Sequence, residues 1–98
     1  MNAMLPVSHP GKLLKRELKA RGLSANRFAR ALGVSPGRGR DILNGRRSIT
    51  ADTAVRLGLF FGNGASFWTG LQSQYDIARI ERDRGAEIAG HVRPADAA

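Results

Sequence analysis

Leucines recur near the start of the chain at close to helical spacing. Four of them fall between residues 13 and 23, and lysine and arginine fill the opposite face. The pattern predicts a first helix that begins at residue 10 or 11 and stops at Gly22. Ser24 is a good N-cap for a second helix, which carries its apolar residues inward and ends at Gly33.

A third helix is predicted from a less favourable stretch. Ser35 can cap it and Pro36 can occupy its first helical position, where the missing N–H costs nothing. The helix closes at Asn44-Gly45. Two internal glycines weaken it by about 1 kcal/mol each relative to alanine, and four arginines lie in or just beyond it.

Two further helices follow in the pattern. Thr50 can cap a fourth helix that is apolar almost all round, which is typical of a helix central in the core or shared with another subunit. A fifth begins near Ser66 with an aromatic stripe. Residues 1–8 are predicted to be a loose lead-in and residues 85–98, which are small and polar, a disordered tail. No strand pattern appears, so residues 9–84 are predicted to form one all-α, five-helix domain.

The positive charge is concentrated in the first half of the chain. The formal net charge is +8 over 98 residues; eleven Lys and Arg face two acidic residues up to Arg47, and five face six thereafter. A clustered basic surface on a small domain is typical of a nucleic-acid binder. A merely soluble basic face and an interfacial membrane helix are the alternatives.

The sequence lacks the residues that several classes of function require. Without cysteine the chain can form no disulfide, thiol nucleophile or cysteine-ligated zinc site. The histidines, His9 and His91, have no second metal ligand nearby, and no catalytic triad, carboxylate pair or nucleotide-binding loop is found. The longest apolar run, Leu57–Phe61, is too short to span a bilayer, and the start of the chain does not resemble a signal peptide. We therefore expect a cytoplasmic, nucleoid-associated protein without enzymatic activity, cofactor or metal.

The second and third predicted helices, joined by a glycine turn, indicate a helix-turn-helix motif of the lambda-repressor-like kind, which sets one helix into the major groove of DNA. Six of its seven characteristic positions match in residue type. Gly39 does not match, because a branched apolar residue is usual there, and it predicts a packing deficit beneath the third helix.

The residues around this motif resemble a particular family. The run ILNGRRSITADTAVRLGLFFG, with HPGKLLKREL and GLSANRFARALGVS upstream, is similar to the HigA (VapI-like) antitoxins of the XRE class from His9 to about Asp83. The resemblance implies a homodimer that binds its own operator and neutralises an RNA-cleaving toxin of the HigB/RelE-like class. The chain departs from the family at Ala25, which offers phosphate no hydrogen bond, and at Gly64-Ala65, where serine and proline are usual.

A helical wheel of the third helix separates an inward from an outward side. Gly37, Asp41 and Asn44 face outward, and Arg38 and Arg40 flank that face on opposite sides. These residues can read base edges, whereas the arginines in the loop beyond are placed for phosphates. The predicted DNA-binding residues are Ser24, Arg27, Ser35, Gly37, Arg38, Arg40, Asp41, Asn44, Arg46 and Arg47.

A homodimer interface is predicted on the fourth and fifth helices. Its residues are Val55, Leu59, Phe67, Trp68, Leu71 and Tyr75. The aromatic stripe among them could instead stack nucleobases, although at helical spacing it is more often core or dimer interface. Acidic residues of the fifth helix and tail, which by default are only solvated, could dock a basic toxin. Two other functions stay open: a stand-alone or phage-type repressor without a toxin, and a protein-interaction module that has lost DNA binding.

Overall fold

The computed structural model describes residues 7–97, which form five α-helices and one short 3₁₀ turn and contain no strand. The predicted five-helix, all-α fold is confirmed. Of the predicted lead-in, only Val7 and Ser8 belong to the described residues. The elements are α1 (Pro10–Arg21), α2 (Ala25–Leu32), α3 (Pro36–Leu43), α4 (Ala51–Phe61), α5 (Ala65–His91) and the 3₁₀ turn (Ala95–Ala97).

Side-chain caps and left-handed glycines set the limits of the short helices. Ser24, Ser35 and Thr50 each accept a hydrogen bond from the backbone N–H three residues on, at 3.2, 3.1 and 3.3 Å. Gly22 and Gly33 end α1 and α2 at φ angles of 63° and 72°, which glycine adopts without strain. The predicted helix boundaries therefore follow from local chemistry.

One hydrophobic core joins all five helices. Aliphatic residues of α1 and α2 meet the inner faces of α3 and α4, and the first turns of α5 close the core from the other side. The buried core residues are Leu14, Leu18, Phe28, Leu32, Ile42, Leu43, Ile49, Ala54, Leu57 and Trp68.

Trp68 belongs to this core, although the sequence placed it at a subunit contact. Its side chain is 1% exposed, and its Nε1–H donates a 2.9 Å hydrogen bond to Asn63 Oδ1. An indole buried in its own chain leaves no surface for a partner. The neighbouring Phe67 is exposed and packs edge-on against it, with ring centroids 5.0 Å apart.

The fifth helix is longer than predicted. It begins at Ala65 and continues to His91, through the stretch assigned to a disordered tail. Gly85 and Gly90 weaken it, but the residues between them are mostly good helix formers, and Arg84 pairs with Glu87 across one turn at 3.2 Å. Gln72 is the last buried residue of α5. The second half of this helix therefore does not pack against the core of its own chain.

Helices α2 and α3 approach each other most closely at Ala29 and Gly39. A Cβ placed on Gly39 would lie 2.7 Å from the Cβ of Ala29, closer than such atoms come in proteins. The expected packing deficit beneath α3 is therefore wrong, because Ala29 fills the space that a larger residue at position 39 would need. The bare glycine lets the two helices touch.

Replacing Gly39 by alanine should destabilise the domain. Overpacking of this kind costs about 1–3 kcal/mol, more than the roughly 1 kcal/mol that alanine gains in helix propensity. Urea unfolding followed by circular dichroism measures the difference. Gly37→Ala is the matched control, because its nearest neighbour would be an Arg40 side-chain atom at 4.0 Å. The control should be neutral or slightly stabilising, and equal effects at both positions would contradict the close contact.

Candidate nucleic-acid interface

Helices α2 and α3 form a helix-turn-helix around Gly33. The turn is held by the Val34 N–H, which donates to the Ala29 carbonyl at 3.0 Å, and by the Gly33 N–H, which donates to Arg30 at 3.0 Å. These bonds and the Ala29–Gly39 contact fix the angle between the helices. One face of α3 is thereby presented to solvent.

The two sides of α3 are arranged as the helical wheel predicts. Gly39, Ile42 and Leu43 are buried, while Arg40 and Asn44 are exposed. Gly37 and Asp41 are half-buried beside them. The outward face thus combines a position without a side chain, a carboxylate, an amide and a guanidinium, all of which suit the recognition of base edges.

Arg38 and Arg40 flank this face on opposite sides. Arg38 turns back onto α4, where its Nη2 lies 2.8 Å from Asp52 Oδ1 and 2.8 Å from Thr53 Oγ1. Arg40 is exposed and lines a hollow together with Lys15 and Lys19 of α1. Among residues 7–97, Arg38 therefore has two side-chain partners and Arg40 has none.

Lys15 and Lys19 were not among the predicted DNA-binding residues. In the sequence they look like the ordinary solvent-facing side of an amphipathic helix. The fold brings α1 against α3, so these lysines stand beside Arg40 and Asn44. Only this helix packing shows that α1 extends the basic surface.

The remaining predicted contacts surround α3. Ser24 and Arg27 are exposed at the start of α2, and Ser35 is exposed at the start of α3. Both serines use their oxygens as helix caps, which leaves each hydroxyl hydrogen free to donate to a phosphate. Arg46 and Arg47 are exposed in the loop after α3. The Arg46 guanidinium lies 3.8 Å from Asp41, so any pairing between them is weak.

This loop is anchored to α5 rather than loose. The Ile49 N–H donates a buried 2.9 Å hydrogen bond to Gln72 Oε1, and the Gln72 amide donates to Asp76 at 3.0 Å. The Arg46 N–H donates to the Asp41 carbonyl at 2.9 Å. The two arginines of the loop thus stand on a fixed backbone.

His9 lies behind the same loop and is half-buried. It caps α1, because its Nδ1 accepts a 2.9 Å hydrogen bond from the Gly11 N–H, and its ring packs edge-on against Tyr75 with centroids 5.2 Å apart. Burial lowers the pKa of His9 below 6.5, against smaller raising effects of the Arg47 backbone and Asp76. Since Nδ1 already accepts a hydrogen bond, protonating it would break the cap. Nothing in the residue pattern indicates this role, because histidine is an uncommon N-cap residue.

The geometry of α2 and α3 agrees with the comparison of the chain with known proteins. The profile of the helix-turn-helix family matches residues 14–67, more than half of the chain. The chain belongs to this helix-turn-helix family. Virulence-associated protein I of Dichelobacter nodosus is 47% identical to it over 81 residues, which are 82% of this chain and 75% of that protein.

Two solved structures show which proteins of this family the chain resembles. A HigA-family addiction module antidote protein from Coxiella burnetii is 44% identical, with a TM-score of 0.87 over 92% of this chain and 99% of that one. The Pseudomonas aeruginosa antitoxin HigA, solved with the higBA promoter, is 39% identical, with a TM-score of 0.86 over 91% and 98% of the two chains. The resemblance to HigA antitoxins is confirmed.

Helix-turn-helix proteins of this kind bind DNA and are not enzymes. Among residues 7–97, no group of three or more histidine and acidic side chains could hold a metal ion. No helix in the same stretch is both long and apolar enough to cross a bilayer.

The half-buried, neutral His9 should make stability depend on pH. The pKa of His9 is lower in the folded than in the unfolded chain, so the unfolded chain binds more protons near pH 6.5, and stability falls as the pH drops through that value. Urea unfolding at each pH measures it. His9→Asn keeps a capping acceptor that does not titrate and should flatten the profile, whereas His91→Asn should not.

Proposed function

We propose that this protein is the antitoxin of a type II toxin–antitoxin pair, which binds its own operator as a dimeric transcriptional repressor and neutralises a HigB/RelE-like toxin. The observation that carries the proposal is the solvent-facing side of α3, where Arg40, Asp41 and Asn44 stand beside the lysines of α1. The likeness to an antitoxin solved with its promoter supports it.

We assign base reading to α3 and phosphate contact to its surroundings. Arg40 or Asn44 would pair with a purine in the major groove, and Asp41 would accept from a cytosine amino group. The smooth surface at Gly37 would let the backbone approach the bases. Arg46 and Arg47, together with the serine caps and Arg27 at the start of α2, would fix the register on the phosphates.

A dimer accounts for the apolar residues that the chain exposes. Leu59 on α4 is 81% exposed, and Ile77 and Ile80 on the outer half of α5 are 57% and 41% exposed. Val55, Phe67, Leu71 and Tyr75 complete the proposed contact. Covering such side chains stabilises an interface by about 1.5–3 kcal/mol for each one fully buried. Two-fold symmetry would place two α3 helices about 34 Å apart, one turn of DNA, and so requires a near-palindromic operator.

Arg40→Ala and Arg47→Ala should affect DNA binding differently. Losing a base contact at Arg40 should cost about 1–3 kcal/mol on the operator and relax the preference at one base pair. Losing a phosphate contact at Arg47 should weaken operator and random duplex alike and reduce the salt dependence. Fluorescence anisotropy with upstream and scrambled duplexes at several salt concentrations measures both. If neither variant changes affinity, the chain is an interaction module without DNA binding.

We propose that a basic toxin docks on the acidic residues of α5, which are Asp76, Glu81, Asp83 and Glu87. Helical spacing puts three of them on one side of the helix and Glu81 on another. Asp83 and Glu87 also pair with Arg82 and Arg84 of the same helix, at 2.9 and 3.2 Å. A repressor that binds an operator and a toxin would act in the cytoplasm, at the nucleoid, and we propose this location for the protein.

Co-expression with the adjacent open reading frame tests the toxin partner. If that frame encodes a growth-inhibiting protein, the intact chain should restore growth and co-purify with it. A variant with Glu81, Asp83 and Glu87 changed to glutamine should rescue less well, because the charge attraction is lost, while Arg40→Ala should rescue fully. Operator binding without rescue would instead identify a stand-alone repressor.

A further inference from the structure

Three charged residues connect the helix-turn-helix to α4. Asp52 Oδ1 accepts hydrogen bonds from Arg38 Nη2 at 2.8 Å and from Arg56 Nε at 2.7 Å. The Arg56 Nη1 then donates to the carbonyls of Leu32 and Gly33 at 2.9 and 3.3 Å, at the end of α2. One carboxylate on α4 thus links the end of α2 with the start of α3.

Arg38 is held more firmly than a surface arginine. Its Nη2 also donates to the hydroxyl of the buried Thr53, at 2.8 Å, and its side chain is 26% exposed. Its Nε is buried and has no hydrogen-bond partner among residues 7–97. The guanidinium is therefore committed to α4, and moving it toward DNA would break two hydrogen bonds.

The charge of Asp52 persists at any physiological pH. Hydrogen bonds from Arg56 and Arg38 lower the pKa of its carboxyl below 3.8. The carboxylate itself is exposed, so salt screens each ion pair, and its effect comes from serving two arginines at once. It offsets the positive charge of Arg38 beside the DNA-binding face.

We propose that Asp52 is a positioning residue for DNA recognition: it holds Arg38 on α4, away from the duplex, and through Arg56 it fixes the start of α3 against the end of α2. This inference rests on the proposed operator binding. It changes the role expected for Arg38, from reading DNA to bracing the helix that reads it. Arg38 then contributes no phosphate contact, whereas the exposed Arg47 in the loop after α3 contributes one.

The salt dependence of DNA binding tests whether Arg38 contacts a phosphate. Each phosphate that a side chain neutralises adds about 0.9 to the slope of log affinity against log salt concentration. We would compare the intact chain with Arg38→Met, Arg47→Met, Asp52→Asn and the double variant Arg38→Met/Asp52→Asn, on operator and scrambled duplexes. Methionine keeps the aliphatic stem of arginine without its charge, so Arg47→Met, at an exposed position assigned to phosphate contact, is the matched control for Arg38→Met.

The proposal expects an unchanged slope for Arg38→Met and a shallower one for Arg47→Met. Asp52→Asn should release Arg38, steepen the slope by about 0.9 per protomer and strengthen binding to scrambled DNA, so that discrimination falls. The double variant should return to the slope of the intact chain. If the slope stays steep in the double variant, Asp52 acts only through its charge and not by holding Arg38. That outcome would overturn the proposal.

Two further outcomes would also overturn it. One is a slope for Arg38→Met as shallow as that for Arg47→Met, which would make Arg38 a phosphate contact. The other is an absence of coupling between positions 38 and 52 in a double-mutant cycle of urea unfolding without DNA. If Arg38→Met does not fold, an Asp52→Asn slope no steeper than that of the intact chain overturns it alone. Failure of the intact chain to bind any duplex would refute the proposed function itself. Coupling between positions 38 and 52 in urea unfolding would still show that Asp52 holds Arg38.

Discussion

The contact between Ala29 and Gly39 is the constraint on which the DNA-facing surface depends. Two helices of eight residues cannot hold each other at a fixed angle through hydrogen bonds alone, and here they do so by touching where neither has a bulky side chain. The glycine therefore has two opposite effects. It weakens α3 as an isolated helix and secures α3 as part of a motif, because tertiary packing outweighs intrinsic propensity.

Around this contact, polar interactions brace the outer elements. Asp52 joins α2, α3 and α4, and Gln72 joins the arginine-bearing loop to α5. His9 seals the rear of that loop against Tyr75. The side chains that we propose face DNA thus stand on a fixed backbone, so little backbone entropy remains to be lost on binding.

The sequence predicted well what local chemistry decides. Ser24, Ser35 and Thr50 cap helices because a hydroxyl one residue before a helix satisfies an orphan N–H, and the wheel of α3 follows from helical geometry alone. The sequence did not predict features that depend on contacts between distant segments of the chain. Lys15 belongs to the basic surface, Arg38 binds α4 instead of facing outward, and Trp68 lies in the core. Each of these positions depends on a helix far along the chain, and periodicity within one helix carries no information about it.

The outer half of α5 stands apart from the remainder of the molecule. Beyond Gln72 the helix buries no residue in its own chain, and the molecule is correspondingly elongated, measuring 53 × 25 × 23 Å. A helix held mainly by its own backbone bonds is marginal in water and opens far more often than a packed one. A single chain would therefore be attacked first by proteases at this end, and association with any partner that covers it would lengthen the lifetime of the protein in the cell.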